Sequence, residues 1–157
     1  MLLGWLPKSA YGIVHELTRH LLRRPVVGIA AVARTPDGKI VLVRRADNGM
    51  WCLPGGTLEW GETLVTGLTR ELEEEAGITR HSVVRVLGAW SDPKRDARFH
   101  AVTIAVVCDV DPPAKPAKNP LEILQIKAFD PSELPEKLSF GMEDIVVAAG
   151  SPGTVLE

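Results

Sequence analysis

The stretch GGTLEWGETLVTGLTRELEEEAGI, Gly55 to Ile78, constrains the fold more than any other part of the chain. Leu64, Leu68 and Leu72, with Val65 and Ala76, recur at helical spacing, and Gly77 follows them as a C-terminal cap. A helix from about Gly61 to Ala76 with one apolar stripe is therefore predicted. Such a stripe needs an apolar surface to cover, and the flanking sequence supplies strands. VVGIAAVA from Val26 and IVLVRR from Ile40 read as two strands joined by a tight turn at Asp37-Gly38. MWCLP runs into Gly55-Gly56, further strands are expected at about 83–90, 99–110 and 122–129, and a short helix at about Met142 to Ala148. Strands, one acidic helix, more strands and a terminal helix make an α/β protein with a mixed sheet. Gly67 lies in mid-helix, where glycine costs about 1 kcal/mol relative to alanine, so a close approach by another group is expected there.

The helix is also crowded with charge. Glu71, Glu74 and Glu75 share a face, while Arg70 reaches Glu74 or points back toward Glu62. Like charges at that spacing cost a few tenths of a kcal/mol per pair, a cost that a bound divalent cation removes. A solvated acidic face is the ordinary explanation of a charge run. It does not explain the spacing of the residues around this one.

From Gly56 the chain reads glycine, five residues, Glu62, seven residues, then Arg70-Glu71-Leu72-Glu73-Glu74-Glu75-Ala76-Gly77-Ile78. This resembles the signature of the Nudix hydrolases, G-x5-E-x7-R-E-U-x-E-E-x-G-U with U aliphatic, and every specified position is filled. The fixed residues would coincide at a given start with a probability below about 10⁻⁸. WCLPGG before the box and FDPSELP after a late strand look like the usual flanks, so the resemblance covers roughly Val26 to Pro135. It implies a Nudix-type α/β/α sandwich, in which the box forms a loop, helix and loop that hold Mg2+, with Mn2+ as a substitute, against a pyrophosphate.

By the same resemblance, Glu74 and Glu75 are the main metal ligands and Glu71 is a further ligand or the general base. The backbone carbonyl of Gly56 is an additional ligand, and Arg70 orients the carboxylates through an ion pair with Glu62. Glu73, the variable position, should be solvated. Glu122 in LEILQIKAF is the candidate for an acid from outside the box. By the same resemblance, many relatives carry a second acid where this chain has Gln125, so the identity of the general base stays open.

SDPKRDARFH, Ser91 to His100, resembles the loop of relatives acting on ADP-ribose and similar nucleotide sugars. Pro93 falls fifteen residues after Ile78, where such enzymes tend to have proline, and Ala97 stands where a second proline is usual. Lys94, Arg95 and Arg98 are candidates to meet phosphate or ribose oxygens, and Trp90 or Phe99 to stack on a base. Arg44 and Arg45 follow the IVLV strand and are candidates for phosphate contacts, one of them facing solvent. Trp51 and Trp60 flank the glycine loop and are candidates to line the pocket, with packing the expected role of Trp51, and His100 is expected as a hydrogen-bonded strand residue. The substrate this implies is a nucleoside diphosphate sugar, ADP-ribose first, split into a nucleoside monophosphate and a sugar phosphate. The alternatives are a nucleoside triphosphate pyrophosphatase of the sanitising type and a non-catalytic nucleotide-sensing domain, which an intact box disfavours.

At 157 residues one domain is expected, over residues 26–149, with an amphipathic helix in 1–25 and a flexible tail at 150–157. Val14, Leu17, Leu21 and Leu22 line one side of that first helix, which leaves two roles open, packing on the core or mediating a homodimer. His15 and His20 lie five apart and do not share a face, so no metal site is expected there. The formal net charge of -2 gives no electrostatic case for nucleic acid or an anionic membrane. No apolar run approaches the length of about 18 residues that a membrane span needs. MLLGWLP lacks a basic start and is interrupted by Pro7, a poor signal peptide. Cys52 and Cys108 lack metal or disulfide spacing and read as buried thiols, so a cytoplasmic setting is expected.

Overall fold

The computed structural model describes residues 12–14, 17, 18 and 24–157. The helix expected in 1–25 as an element, with its histidines and its homodimer role, lies outside the described residues. Eight strands and two helices follow: β1 Val26–Arg34, β2 Ile40–Arg45, β3 Trp51–Cys52, β4 Gly55–Thr57, α1 Leu64–Ala76, β5 His81–Trp90, β6 Ala101–Val110, β7 Ile123–Phe129, α2 Glu143–Ala149 and β8 Val155–Leu156. Among the described residues no helix is long and apolar enough to cross a membrane.

The sheet is mixed, as expected. β1 runs parallel to β6 along its whole length, and β6 is antiparallel to β5. β1 and β2 pair only where Ala33 and Arg34 meet Val41 and Ile40. Beyond that point they diverge: β1 takes β4 as its partner, and β2 takes β3 and β7. α1 packs where they diverge, against β4, β1, β2 and β7.

Layering on both faces explains the unbroken apolar texture of β1, since a strand covered on both sides shows no alternation. Ile29, Ala31 and Ala33 point into a core with Leu68, Leu72 and Ala76 of α1. Ala30 and Val32 point into a second core with Leu138 and with Ile145 of α2. Cys52 and Cys108 are buried free thiols, and burial pushes them up to about 12 and about 11.

Both ends of α1 are closed by short-range chemistry. Thr63 is the N-cap, exchanging hydrogen bonds with Thr66, so the helix starts three residues later than the apolar spacing suggests. Gly77 caps the other end with φ 63°, donating its N–H to the Glu73 and Leu72 carbonyls. The proline-rich loop DPPAKPAKNP between β6 and β7 comes down on this cap: Ala114 donates to the Gly77 carbonyl and Lys118 to that of Glu74. A side chain at Gly77 would collide with the Lys115 carbonyl. Gly67 has the crowding its position implies, because a methyl there would meet Leu58 and the Glu62 carboxylate.

Residues 150–157 depart from the flexible tail expected of them. β8 lies parallel to β5, with Gly88 opposite Val155, and a Cβ at Gly88 would run into the Val155 carbonyl. The Glu157 carboxylate accepts from the backbone N–H groups of Ser91 and Asp92 and from Arg95. Those bonds hold it down at about 2, so it stays charged and bonded at neutral pH.

Gly77→Ala tests the close contact at the α1 cap. A left-handed residue bearing a Cβ costs about 1–2 kcal/mol, and the displaced loop adds to that. Gly38→Ala, at φ 83° with open space around it, supplies the conformational cost alone. Urea unfolding should show Gly77→Ala as clearly the more destabilised of the two.

Candidate active site

Arg70 organises the acidic side of the molecule. Its Nε and Nη2 donate to the two Glu62 carboxylate oxygens at 2.8 and 2.9 Å, its Nη1 to Glu71 at 2.8 Å, and its Nη2 also to the Thr57 carbonyl at 3.1 Å. The loop before the helix, the helix and β4 are thereby pinned together. The Arg70 bonds hold the Glu62 carboxyl down at about 2. Of the two directions open to Arg70 in the sequence, both are taken, with Glu74 the longer contact at 3.7 Å.

Glu71 and Glu75 are both buried, at 9% and 7% exposure. Burial raises both above the usual carboxylate range, Glu75 to about 8, and repulsion adds to it, from Glu74 and Glu122 on Glu71 and from Glu71 and Glu122 on Glu75. Glu75 accepts from the Gly55 N–H at 3.0 Å. Glu71 sits directly on Gly56, where any side chain would strike its carboxylate. Glu74 is half-buried and held by Lys118 at 2.5 Å, a pairing that lowers it. Glu73 is exposed, 3.5 Å from Lys115. Glu122 lies on the turn before β7 and closes a shallow hollow that Glu71, Glu74 and Glu75 share.

Among the described residues no three His, Cys, Asp or Glu side chains close around an ion as they stand. Each box carboxylate has its own partner: Arg70 for Glu71, Lys118 for Glu74, the Gly55 N–H for Glu75. The hollow nonetheless suits a hard divalent cation, because four carboxylates line it beside Lys118 and Asn119, and burial keeps one of them, Glu75, reluctant to ionise without a counter-charge.

A cleft adjoins this cluster, and Gly55 and Gly56 form part of its wall. Arg45 and Arg98 also line it. Arg45 is buried and donates from Nε and Nη2 to Asp47 at 3.0 and 2.8 Å. Arg98 donates from Nε and Nη2 to Asp96 at 3.0 and 2.7 Å, and its Nη1 is 3.5 Å from Asp47. Trp90 and Phe99 border the cleft as well.

The expected site residues thus fall into two adjoining groups, Gly56, Glu62, Arg70, Glu71, Glu74 and Glu75 with Glu122 at the rim, and Arg45 with Arg98. Arg44 and Pro93 belong to neither. Arg44 is the solvent-facing member of its pair, because successive strand residues point to opposite faces, and it donates to the Gly49 carbonyl. Pro93 is exposed on a turn closed by the Arg95 N–H and the Asp92 carbonyl. Trp51 packs edge-on against Phe129 at 4.9 Å, whereas Trp60 is wholly exposed. His100 bonds the Ser91 carbonyl at 2.9 Å, just before β6 begins.

Lys118, Asp47 and Phe140 are additions that the sequence did not single out. Lys118 was hidden in a loop that reads as plain surface, and Asp47 in a turn, Ala46-Asp47-Asn48-Gly49, that reads as hairpin chemistry. Arg95 also lines the cleft, and it ties its loop to Asp144, Glu157 and the Gly141 carbonyl at 2.7–2.8 Å.

Comparison with known proteins identifies the family and the fold. A family model for the NUDIX domain matches residues 23–148. A protein of Methanocaldococcus jannaschii named ADP-ribose pyrophosphatase is 35% identical over 129 residues, 80% of this chain and 73% of that one. A Streptomyces ambofaciens protein named MutT-like is 34% identical over 113 residues, 72% of this chain and 69% of the other. Among solved structures, the NUDIX domain of Shewanella oneidensis NrtR, crystallised with ADP ribose, superposes with a TM-score of 0.72 at 21% identity. It covers 92% of this chain and 97% of that one, a likeness of fold.

The raised Glu75 carboxyl predicts how stability varies with pH. A carboxyl whose pKa is higher folded than unfolded binds more protons in the folded state, so its contribution is lost as pH rises from about 4 toward 8. Glu75→Gln keeps the acceptor for the Gly55 N–H and removes the charge. Thermal melts in chelator should therefore find the variant more stable than wild type at pH 8, with the gap narrowing at pH 5.

Proposed function

The chain belongs to the Nudix hydrolase family, and from that premise we propose that it cleaves a nucleoside diphosphate sugar. ADP-ribose stands first, and the products are a nucleoside monophosphate and a sugar phosphate. The observation that carries this reading is the pairing of two guanidinium groups, Arg45 and Arg98, with a buried carboxylate cluster across the glycine strand β4. A pyrophosphate needs cationic groups around its oxygens and a nucleophile delivered to phosphorus, and the two groups of residues answer those needs separately.

Glu71, Glu74, Glu75 and the Gly56 carbonyl would hold Mg2+, with Glu122 as a further acid at the rim. Bound there, the ion would neutralise phosphate oxygens and lower the pKa of a water. Arg45 and Arg98 pair with the phosphates from the cleft side. Arg70 and Glu62 fix the orientation of Glu71, leaving it as ligand or general base. Lys118 must release Glu74 for that carboxylate to turn inward. The name of the Methanocaldococcus relative supports ADP-ribose over other sugars.

The test is a panel of ADP-ribose, GDP-mannose, UDP-glucose and nucleoside triphosphates with Mg2+, the products separated by chromatography. A diphosphate sugar should give monophosphate. Glu75→Gln should lose at least about a hundredfold in rate, beyond the 10–100-fold that follows loss of an outer partner of a metal ligand. Faster turnover of the triphosphates would sink the sugar reading and leave the carboxylate roles in place.

A further inference from the structure

Phe140 has backbone that a residue with a Cβ rarely adopts. Its φ is 61°, and among the described residues no other non-glycine has a positive φ. The turn is held there from several sides. Ser139, 1% exposed, accepts from Asn48 at 2.8 Å. Arg95 donates to the Gly141 carbonyl at 2.8 Å and the Phe140 carbonyl at 3.4 Å. A strained residue that its surroundings hold so firmly calls for a purpose.

The ring is half-buried and lies on the wall of the cleft. The guanidinium carbons of Arg45 and Arg98 stand 5.2 and 4.8 Å from its centroid. Two like charges gathered at one ring repel each other, and two kinds of contact offset that. The π face attracts both cations. Asp47 and Asp96 each take the Nε and Nη2 edge of one arginine, so both guanidiniums are anchored along the same edge.

We propose that Phe140 is a positioning residue for phosphate binding, its ring the platform that holds the Arg45 and Arg98 guanidiniums together at the cleft wall. This rests on the phosphate contacts assigned to those arginines above. Because cations already occupy the ring, it serves the phosphates and is indifferent to the base.

The test measures the dissociation constant of inorganic pyrophosphate by titration calorimetry on the full chain, with Mg2+ present. Phe140→Leu should weaken it about tenfold, while Phe140→Trp, which keeps a π face, stays within about twofold of wild type. Phe140→Gly removes the ring and relieves the backbone, so its pyrophosphate affinity should fall as that of Phe140→Leu does, which separates the ring from the strain. AMP and GMP should lose affinity to Phe140→Leu by the same factor. Unchanged pyrophosphate affinity in the Leu and Gly variants, or no pyrophosphate binding by wild type, overturns the proposal. So does a loss confined to one base, which would make the ring a stacking surface. Binding with the expected pattern but no hydrolysis of any diphosphate sugar would uphold the platform and remove the substrate reading.

Discussion

The guanidinium of Arg70 is the interaction on which the acidic half of the molecule depends. One planar group bonds Glu62, Glu71 and the Thr57 carbonyl, and so holds together the loop before α1, the helix and the β4 strand. Its bidentate fork is what lysine lacks, since an ammonium is a point charge without a fixed plane. Without it, Glu71 would be a buried carboxylate with no cation beside it, a costly arrangement. Glu75 makes no ion pair among the described residues: it accepts the Gly55 N–H and feels the Arg45 charge only at longer range. That difference separates a carboxylate set in place by the protein from one left in need of a counter-charge.

Two glycines connect this acidic half to the cleft. Gly56 lets the Glu71 carboxylate lie against the strand, and Gly55, at φ 153°, passes so close to Ile29 and Ala30 that a Cβ would overlap their backbone. The wall between carboxylates and arginines is therefore bare main chain. On the proposed function, a pyrophosphate lying along it would have acidic ligands for a cation at hand on one side and guanidiniums on the other. Net charge is nearly balanced, but its local separation is what the chemistry uses.

Much of this was legible in the sequence because it is encoded locally. The helix, its glycine cap, the strands and the box all depend on residues near one another in the chain, and Gly67 announced its crowding by being a glycine in mid-helix. The helix start was read too early because the cap is Thr63 with Thr66, without the acidic third residue that usually marks such a box. β8 could not be read: Val155 and Leu156 follow Ser-Pro-Gly, and their partner, β5, is more than sixty residues away. The same holds for Lys118 on Glu74, for Arg95 on Glu157 and for the left-handed Phe140, all fixed by long-range contacts. Arg44 and Arg45 show the middle case. Alternation said that one of them faces out, and only the packing that buries Arg45 says which.

The central claim is that the α1 carboxylates form one site for a divalent cation, and electron paramagnetic resonance of Mn2+ tests it most directly. Titrating Mn2+ into the protein should show one or more bound ions that Mg2+ displaces. Glu75→Gln and Glu71→Gln should each weaken the binding by at least about tenfold, as loss of a direct carboxylate ligand requires. Unchanged Mn2+ affinity in both variants would contradict the account, and would make these buried carboxylates a structural feature of the helix instead of its working surface.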